Sequence, residues 1–381
     1  MGVEVLFQAH LQLKDVVVER VYGWGYQVDL PSGGRVEMTD CVASEIGVPA
    51  GRLGVGIALA GRGQVELRRV LVDAALHQGI NLDGGTNARL EDVVVRHLPL
   101  IGQALGVKID VANVSADRLI VDNVFGAGLI ISGRRDDVAA LLLRDVIVRG
   151  AVTDSGRYGR GIQLSDGAET TMERVTITHM AQVGLIVGLS ENSNRAAGQV
   201  NVSDLVVRGT DSFDLTGGHG VSADSGAQLT LTRAQIVGNR SMGLTGRGWG
   251  STPETRLILT DVVVADTRPE RCADHSRDEG GCRDDRGHTG GGSGLTAIDG
   301  ARVSVDRFRV SGNLLTGVYI DEGSVVRADH GDIVGNAVGV YSGPGTEVLG
   351  EWFGDVRLFD NDTDLARELL PLPRPAEILE F

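Results

Sequence analysis

The chain has 381 residues, of which 55 are glycine and 4% are aromatic. Its 36 lysines and arginines are outnumbered by 51 aspartates and glutamates, which gives a formal net charge of −15. This balance argues against nucleic-acid binding, because no basic stripe is available to meet phosphates. The sequence has no run of 18 apolar residues, so it predicts no transmembrane helix and no membrane insertion.

A short pattern recurs twelve times along the chain: a glycine, an inward apolar residue, an outward residue and usually a second apolar residue. The shortest spacing between these glycines is 22 residues, and longer spacings contain insertions. A fixed minimum period with insertions predicts a stacked solenoid. The leading glycines are Gly25, Gly56, Gly79, Gly106, Gly128, Gly161, Gly184, Gly220, Gly243, Gly294, Gly317 and Gly339.

Two further alternating segments precede each of these glycine strands. Before Gly317, for example, Val303 and Val305 alternate with polar residues, and Phe308 and Val310 do the same after a charged two-residue bend. Each coil is therefore predicted to contain three strands of period two. Such short strands can bury their apolar faces only if the coils stack and pair in parallel.

The chain begins with the strand-like segment Val3–Phe7, without a visible signal peptide or a capping helix. An uncapped first coil would expose a sheet edge, so we expect that a leader or a preceding domain has been removed from this chain. We predict one solenoid domain over residues 1–360 and a capping tail over residues 361–381.

Coils one to five are plain, whereas coils six to ten carry long insertions on both sides of the glycine strand. We expect these insertions to wall a groove over its outward face. Coils eleven and twelve return to the bare unit, with Asn313 and Asn336 predicted at left-handed turn positions. The long insertions are Ala151–Arg160, Ser190–Gly198, Thr210–His219, Arg247–Glu254 and Thr267–Ser293.

The three cysteines fall into two classes. Cys41 lies at an inward position of coil two, which predicts a buried thiol that packs as a small apolar group. Cys272 and Cys282 lie in one long loop, where we predict a disulfide and hence an oxidising, extracytoplasmic compartment. The alternative is a metal site that these cysteines form with His275 and His288.

This repeat resembles that of the right-handed parallel β-helix superfamily with the pectin-lyase-like fold. The resemblance covers about residues 9 to 360 and implies an all-β, single-stranded parallel β-helix of about 12–13 coils with three strands each. It also implies that any chemistry lies on the outward face of the glycine strand. Gly218-His219-Gly220 is similar to the Gly-His-Gly of polygalacturonases, but the acidic residues of that family do not accompany it.

The outward position of the glycine strand supplies the candidate ligand-binding residues. The outward column contains no acid, which argues against a hydrolase, since hydrolases need two carboxylates about 5–9.5 Å apart. Its polar and aromatic members could bind sugar hydroxyls and stack on sugar rings. The candidates are Asn81, Gln163, Thr245, Thr296, Tyr319 and Tyr341.

Aspartates recur where the glycine strand enters its turn. Asp83 and Asp110 are expected to stack on adjacent coils beside Lys108. The two carboxylates could bind Ca²⁺, and Lys108 could act as the base in β-elimination from a uronic acid. The alternative is that each aspartate only caps its own turn, and five such aspartates spread along the chain favour this alternative.

Two classes of function remain. The first is a non-catalytic extracytoplasmic scaffold or adhesin that binds a glycan or another protein. The second is a pectin-lyase-like polysaccharide lyase or hydrolase that acts through Asp83, Lys108 and Asp110, with Ca²⁺ as the one cofactor considered. The outward column without acids and the scarcity of lysine favour the first class.

Overall fold

Parallel pairing between successive coils is the main feature of the structure. The computed structural model describes residues 2–6, 10–47, 54–99, 104–110, 112–133, 140–152, 159–165, 167–188, 198–213, 216–248, 254–270, 291–321, 323–343, 346 and 353–367. The chain forms two compact units, one of Met1–Thr153 with Tyr158–Thr176 and one of Asp154–Arg157 with Ile177–Phe381.

The described residues of the first unit form fifteen strands, and the last two residues of the fifteenth belong to the second unit. They are β1 (Val3–Leu6), β2 (His10–Lys14), β3 (Val17–Glu19), β4 (Trp24–Leu30), β5 (Arg35–Thr39), β6 (Val42–Ser44), β7 (Val55–Gly61), β8 (Gln64–Asp73), β9 (Gln78–Asp83), β10 (Asn87–Leu98), β11 (Ala104–Asp110), β12 (Asn113–Ser132), β13 (Ala140–Val152), β14 (Arg160–Ser165) and β15 (Glu169–Thr178).

The glycine strands of the first unit stack in parallel with their inward residues in register. Ile57 pairs with Ile80, Ile80 with Val107, Val107 with Leu129, and Leu129 with Ile162. All five side chains are fully buried. Burying each such aliphatic side chain stabilises the fold by about 1.5–3 kcal/mol, so this column is a main part of the core.

In the second unit, the part of the chain that the structure describes forms another fifteen strands. They are β16 (Val183–Val187), β17 (Gln199–Arg208), β18 (Ser212–Phe213), β19 (Thr216–Gly217), β20 (His219–Asp224), β21 (Gln228–Val237), β22 (Met242–Arg247), β23 (Arg256–Ala265), β24 (Ser293–Ile298), β25 (Arg302–Ser311), β26 (Thr316–Ile320), β27 (Val325–Val334), β28 (Val338–Ser342), β29 (Val356–Phe359) and β30 (Thr363–Arg367).

The second unit repeats the same inward column. Val221 pairs with Leu244, Leu244 with Leu295, Leu295 with Val318, and Val318 with Val340. The pairing continues from β28 to β30, so residues 363–367 also form a parallel strand. The predicted boundary at residue 360 stays a prediction, because residues 368–381 lie outside the described part of the chain.

The predicted fold class is confirmed. The described residues form an all-β parallel solenoid of about 11 turns and contain no helix. It follows that none of them form a helix long and apolar enough to cross a membrane. The long insertions predicted on coils six to ten fall largely on residues 153–158, 189–197, 214–215, 249–253 and 271–290, outside the described residues.

The repeating glycine has a steric cause. A Cβ atom added to Gly79 would lie 2.3 Å from Val95 Cγ1 and 2.4 Å from the carbonyl oxygen of Gly106 in the next coil. A side chain at this position would therefore meet the backbone of the neighbouring coil.

The bend between the first two strands of most coils is a single residue in the left-handed conformation. Arginine and aspartate occupy it in alternation, as in Asp40, Arg69, Asp92 and Arg118, with φ between 49° and 56°. Each arginine binds the aspartate of the coil before it; in the pair formed by Arg69 and Asp40, Nη2 lies 2.7 Å from Oδ2. The polar two-residue bend predicted from the sequence is therefore a charged ladder along the stack.

Buried asparagines form a second ladder inside the second unit. Asn336 Oδ1 accepts hydrogen bonds from the backbone N–H and the side-chain amide of Asn313, at 3.0 and 2.9 Å. Asn361 Oδ1 accepts the same two bonds from Asn336, both at 3.0 Å. The prediction of left-handed φ at Asn313 and Asn336 was wrong, because both residues are held by inward amide bonds and neither has a positive φ.

Cys41 confirms its predicted role as a buried core residue with a free thiol. Burial raises the pKa of this thiol, so it stays protonated in the core. The predicted disulfide between Cys272 and Cys282, and the alternative metal site with His275 and His288, lie outside the described residues.

Candidate functional site

The first unit carries an open polar patch on the outward face of its glycine strands. Asn81 on β9 pairs in register with Lys108 on β11. The ammonium Nζ of Lys108 lies 3.6 Å from Asp110 Oδ2, and the two side chains are 32% and 21% exposed. The prediction that these residues lie beside one another on adjacent coils agrees with this register.

Asn81 leaves one hydrogen-bond acceptor unused. Its Oδ1 is buried and has no hydrogen-bond partner. A buried amide oxygen without a donor is unfavourable by about 1–3 kcal/mol, so a ligand that draws the Asn81 side chain outward would relieve this cost. Asn81 and Lys108 together present an acceptor and a cationic donor on neighbouring coils.

Asp83 has a local structural role. Its Oδ1 accepts a hydrogen bond from the backbone N–H of Gly84 at 2.6 Å, and its carbonyl oxygen accepts one from Thr86 Oγ1 at 2.6 Å. This is the turn-capping arrangement of the alternative interpretation. The described residues contain no group of three or more His, Cys, Asp or Glu side chains that could hold a metal ion. The calcium site at Asp83 and Asp110 stays a prediction.

Gln163 extends the outward column of the first unit by two coils. Lys108 pairs with Ile130, and Ile130 with Gln163, so an aliphatic side chain separates Gln163 from Lys108. The buried guanidinium of Arg160 donates through Nη1 to Gln163 Oε1 at 2.7 Å. The patch is therefore polar at both ends and apolar between them.

The outward column of the second unit is closed to solvent. Thr245, Thr296, Tyr319 and Tyr341 pair in register on successive coils. Thr296 is fully buried, and each tyrosine is only 8% exposed. The tyrosine rings stack on one another, with centroids 5.0 Å apart. The structure thus corrects the expectation that they are exposed aromatics, because each ring already has a stacking partner. Ligand binding at these four positions stays a prediction.

The structure also brings together two polar residues whose contact was not predicted from the sequence. Ser222 and Asp224 lie on β20, both at most 5% exposed. Ser222 Oγ donates a hydrogen bond to Asp224 Oδ2 at 3.1 Å. Their spacing of two residues was the signal in the sequence, because it places both side chains on one face of the strand. His219 is buried on the same strand, but it lies three residues before Ser222 and therefore on the other face.

A buried acid lies at the base of the longest insertion. Glu270 is 2% exposed, and its Oε1 accepts a hydrogen bond from Ser241 Oγ at 2.7 Å. Burial raises the pKa of this carboxyl group to about 7, and the hydrogen bond from Ser241 offsets only part of the lost solvation. This contact lies near the start of the longest insertion and not on the outward face of the glycine strands.

No protein-family model matches the chain, and no curated protein is similar to it in sequence. Several solved structures share its fold. The periplasmic alginate epimerase AlgG is 10% identical, with a TM-score of 0.46, over 90% of this chain and 77% of that one. The pectate lyase Pel9A is 9% identical, with a TM-score of 0.37, over 89% and 70%. The Siphovirus 9NA tailspike receptor binding domain is 10% identical, with a TM-score of 0.35, over 93% and 73%. These are similarities of fold, and the predicted parallel β-solenoid is confirmed by the strand pairing of the described residues.

Proposed function

We propose that this protein is a non-catalytic glycan-binding module, and that the binding site is the open patch formed by Asn81, Lys108, Asp110 and Gln163. The observation that carries the proposal is the buried, unpaired Oδ1 of Asn81 beside the half-exposed ammonium of Lys108. Such a site needs a ligand that donates and accepts hydrogen bonds at neighbouring positions.

A sugar hydroxyl has this chemistry, because one oxygen atom both donates and accepts. When the Asn81 side chain turns outward, its Oδ1 can accept a hydrogen bond from the hydroxyl, and acceptance from Lys108 Nζ adds a charge-assisted bond. The carboxylate of Asp110 offers a further acceptor next to the ammonium. Repetition of the coil at about 4.8 Å places such groups along a line, which suits a chain of sugar residues.

The same contacts favour binding over catalysis. The ammonium of Lys108 is engaged by Asp110, and Asp83 is engaged by the backbone of its own turn. A lyase needs a base that is free to take a proton from the substrate in a competent geometry. We further propose an extracytoplasmic location, which rests on the predicted pairing of Cys272 with Cys282. Peptide mapping without reduction should find these two cysteines joined, and free thiols at both would contradict the proposal.

The binding test is a glycan array followed by calorimetry with the best ligand. Asn81→Ala should weaken binding by about tenfold or more, because it removes the hydrogen-bonding group that lies next to Lys108 in the patch. Lys14→Ala is the matched control, since Lys14 is the other lysine of the chain and lies exposed on β2. An empty array, or equal losses for both variants, would contradict a glycan site at this patch.

A polysaccharide lyase is the second candidate, because the contact between Lys108 and Asp110 brings an amine and a carboxylate together on the outward face. Incubation with a panel of uronate polymers, with and without Ca²⁺, would release unsaturated products that absorb in the ultraviolet. Product formation that Lys108→Ala abolishes would replace the binding proposal. Binding without product would support it.

A further inference from the structure

The first unit has an aliphatic stripe on its outer surface that the fold does not require. It lies on the strands that follow the charged bend, at side chains that point away from the core. The six side chains come from six successive coils and pair in register along the stack. The aliphatic stripe consists of Val17, Val42, Leu71, Val94, Ile120 and Ile147.

The stripe is accessible to solvent. Val17 is 61% exposed and Ile147 is 37% exposed, and the four residues between them are half-buried by their neighbours along the stack. All six are Val, Leu or Ile, whereas outward positions of a solvated sheet are normally polar. An unbroken exposed aliphatic row marks a surface that binds something apolar.

The corresponding outward columns elsewhere in the molecule contain polar residues, so the stripe does not reflect the composition of the chain. On the strands before the bend, the outward column of the first unit is polar in five of its six coils and runs through Gln12, Glu37, Glu66, Arg89, Ser115 and Leu142. In the second unit, the column that corresponds to the stripe is interrupted by polar residues. It runs through Val206, Gln235, Val263, Arg309 and Asp332.

Charged ladders flank the stripe on both sides. On one side runs the bend ladder, in which Arg118 Nη2 lies 3.0 Å from Asp92 Oδ2. On the other side, two residues beyond the stripe, a second ladder runs through Asp73, Arg96, Asp122 and Arg149, and in it Arg96 Nη2 lies 2.8 Å from Asp73 Oδ2. An apolar centre with a charged rim has the composition of a protein–protein interface.

We propose that the aliphatic stripe is the contact surface between two copies of this chain. The two charged ladders that form the rim of the stripe support this proposal, because their charges are self-complementary. Two face-to-face arrangements are possible, because the two-fold axis can lie across the stripe or along it. With the axis across the centre of the stripe, Arg69 faces Asp92 of the partner subunit, and Asp73 faces Arg96 of the partner subunit. With the axis along the stripe, Arg69 faces Asp73 of the partner subunit, and Asp92 faces Arg96 of the partner subunit. Both two-fold arrangements therefore oppose unlike charges at the middle of the rim.

The size of the stripe predicts a weak dimer. Six coils at about 4.8 Å and a width of four residues at about 3.3 Å give a surface on the order of 300 Å² per copy. This area is at the lower limit for functional apolar patches and below the roughly 800 Å² per partner of a standard interface. We therefore expect a reversible dimer with a dissociation constant between about 1 μM and 1 mM.

The test is sedimentation velocity of the full chain across that concentration range. The weight-average mass should rise from the monomer value of 40.2 kDa towards twice that value. Val94→Glu places a charge at the centre of the stripe and should raise the dissociation constant at least about tenfold. Val263→Glu is the matched control, because Val263 has the corresponding outward position in the second unit.

A second variant separates a loss of dimerisation from a loss of folding. Val17→Glu changes the most exposed member of the stripe and should weaken the dimer while the melting temperature stays within about 2 °C of the wild type. A wild-type chain that remains monomeric at the highest concentration overturns the proposal. It is also overturned if Val263→Glu weakens the dimer as much as Val94→Glu does.

Discussion

Glu270 shows how one buried side chain couples the stability of the fold to pH. Its pKa is raised by burial to about 7 from 4.5, so the folded chain holds a proton that the unfolded chain has already lost between these pH values. A state that binds more protons loses relative stability as the pH rises. The contribution of Glu270 to the free energy of unfolding should therefore fall between about pH 4.5 and pH 7 and stay constant above that range.

Glu270→Gln removes this titration while keeping a hydrogen-bond acceptor for Ser241. The free energy of unfolding of the variant, relative to that of the wild type, should increase by about 3 kcal/mol between pH 4 and pH 8. Urea unfolding at the two pH values measures this difference, and other titrating groups cancel in the comparison. An unchanged difference would show that Glu270 ionises in the folded chain as it does in the unfolded one.

The asparagine ladder gives a second prediction at the scale of one residue. Asn336→Ala leaves two buried amide groups of Asn313 without an acceptor and should lower the free energy of unfolding by about 2–4 kcal/mol. Asn201→Ala, at an outward position of β17, is the control and should change it by about 0.5 kcal/mol or less. Equal effects in denaturant unfolding would contradict a stabilising role for the ladder.

At the scale of the strand, the repeat glycine determines how closely two neighbouring coils approach. Gly79→Ala brings a methyl group into the carbonyl oxygen of Gly106, so the two coils must separate. We expect a loss of about 1–3 kcal/mol, measured as a lower melting temperature. Gly238→Asn is the control, since Gly238 has a φ of 67° and open space around it. A melting temperature that Gly79→Ala leaves unchanged would show that the coils yield without strain.

The alternation of apolar residues was sufficient to predict the strands and their inward column. Ile80, Ile162 and Val318 are fully buried, as predicted, because a period of two leaves only one face for the core. The contacts of Asn336 could not be predicted in this way, since they depend on residues one coil away, 23 and 25 positions apart in the sequence. The tyrosine pair was misjudged for a related reason. An outward direction was inferred correctly, but exposure depends on what else packs against that face.

The candidate site was predicted less completely than the fold. The repeat period was enough to place Asn81 beside Lys108, because register follows from the period. The period does not determine side-chain conformations. The contact of Lys108 with Asp110 and the unpaired oxygen of Asn81 could therefore be identified only in the structure. The contact between Ser222 and Asp224 was not predicted, although their spacing of two residues places both on one face of β20.

At the scale of the whole molecule, net charge opposes self-association. Two copies of a chain with a formal charge of −15 repel one another at long range, and salt screens this repulsion beyond a Debye length of about 10 Å at 0.1 M. The apolar contact of the stripe does not weaken with added salt. We expect the dissociation constant of the dimer to fall when NaCl is raised from about 0.02 to about 0.2 M. Sedimentation at the two salt concentrations measures it, and a rise would mean that rim ion pairs outweigh the net repulsion.

The alternating bend ladder limits how a protein of this kind can change its length. Deleting the coil that carries Arg69 would bring Asp40 directly against Asp92, two like charges at the spacing of adjacent strands. Deleting that coil together with the next would leave Asp40 against Arg118 and preserve the pairing of opposite charges. Within the alternating part of the ladder, from Asp40 to Arg307, shortening by two coils at a time therefore preserves the pairs of opposite charge, and an engineered shorter solenoid should lose an even number of coils from this part.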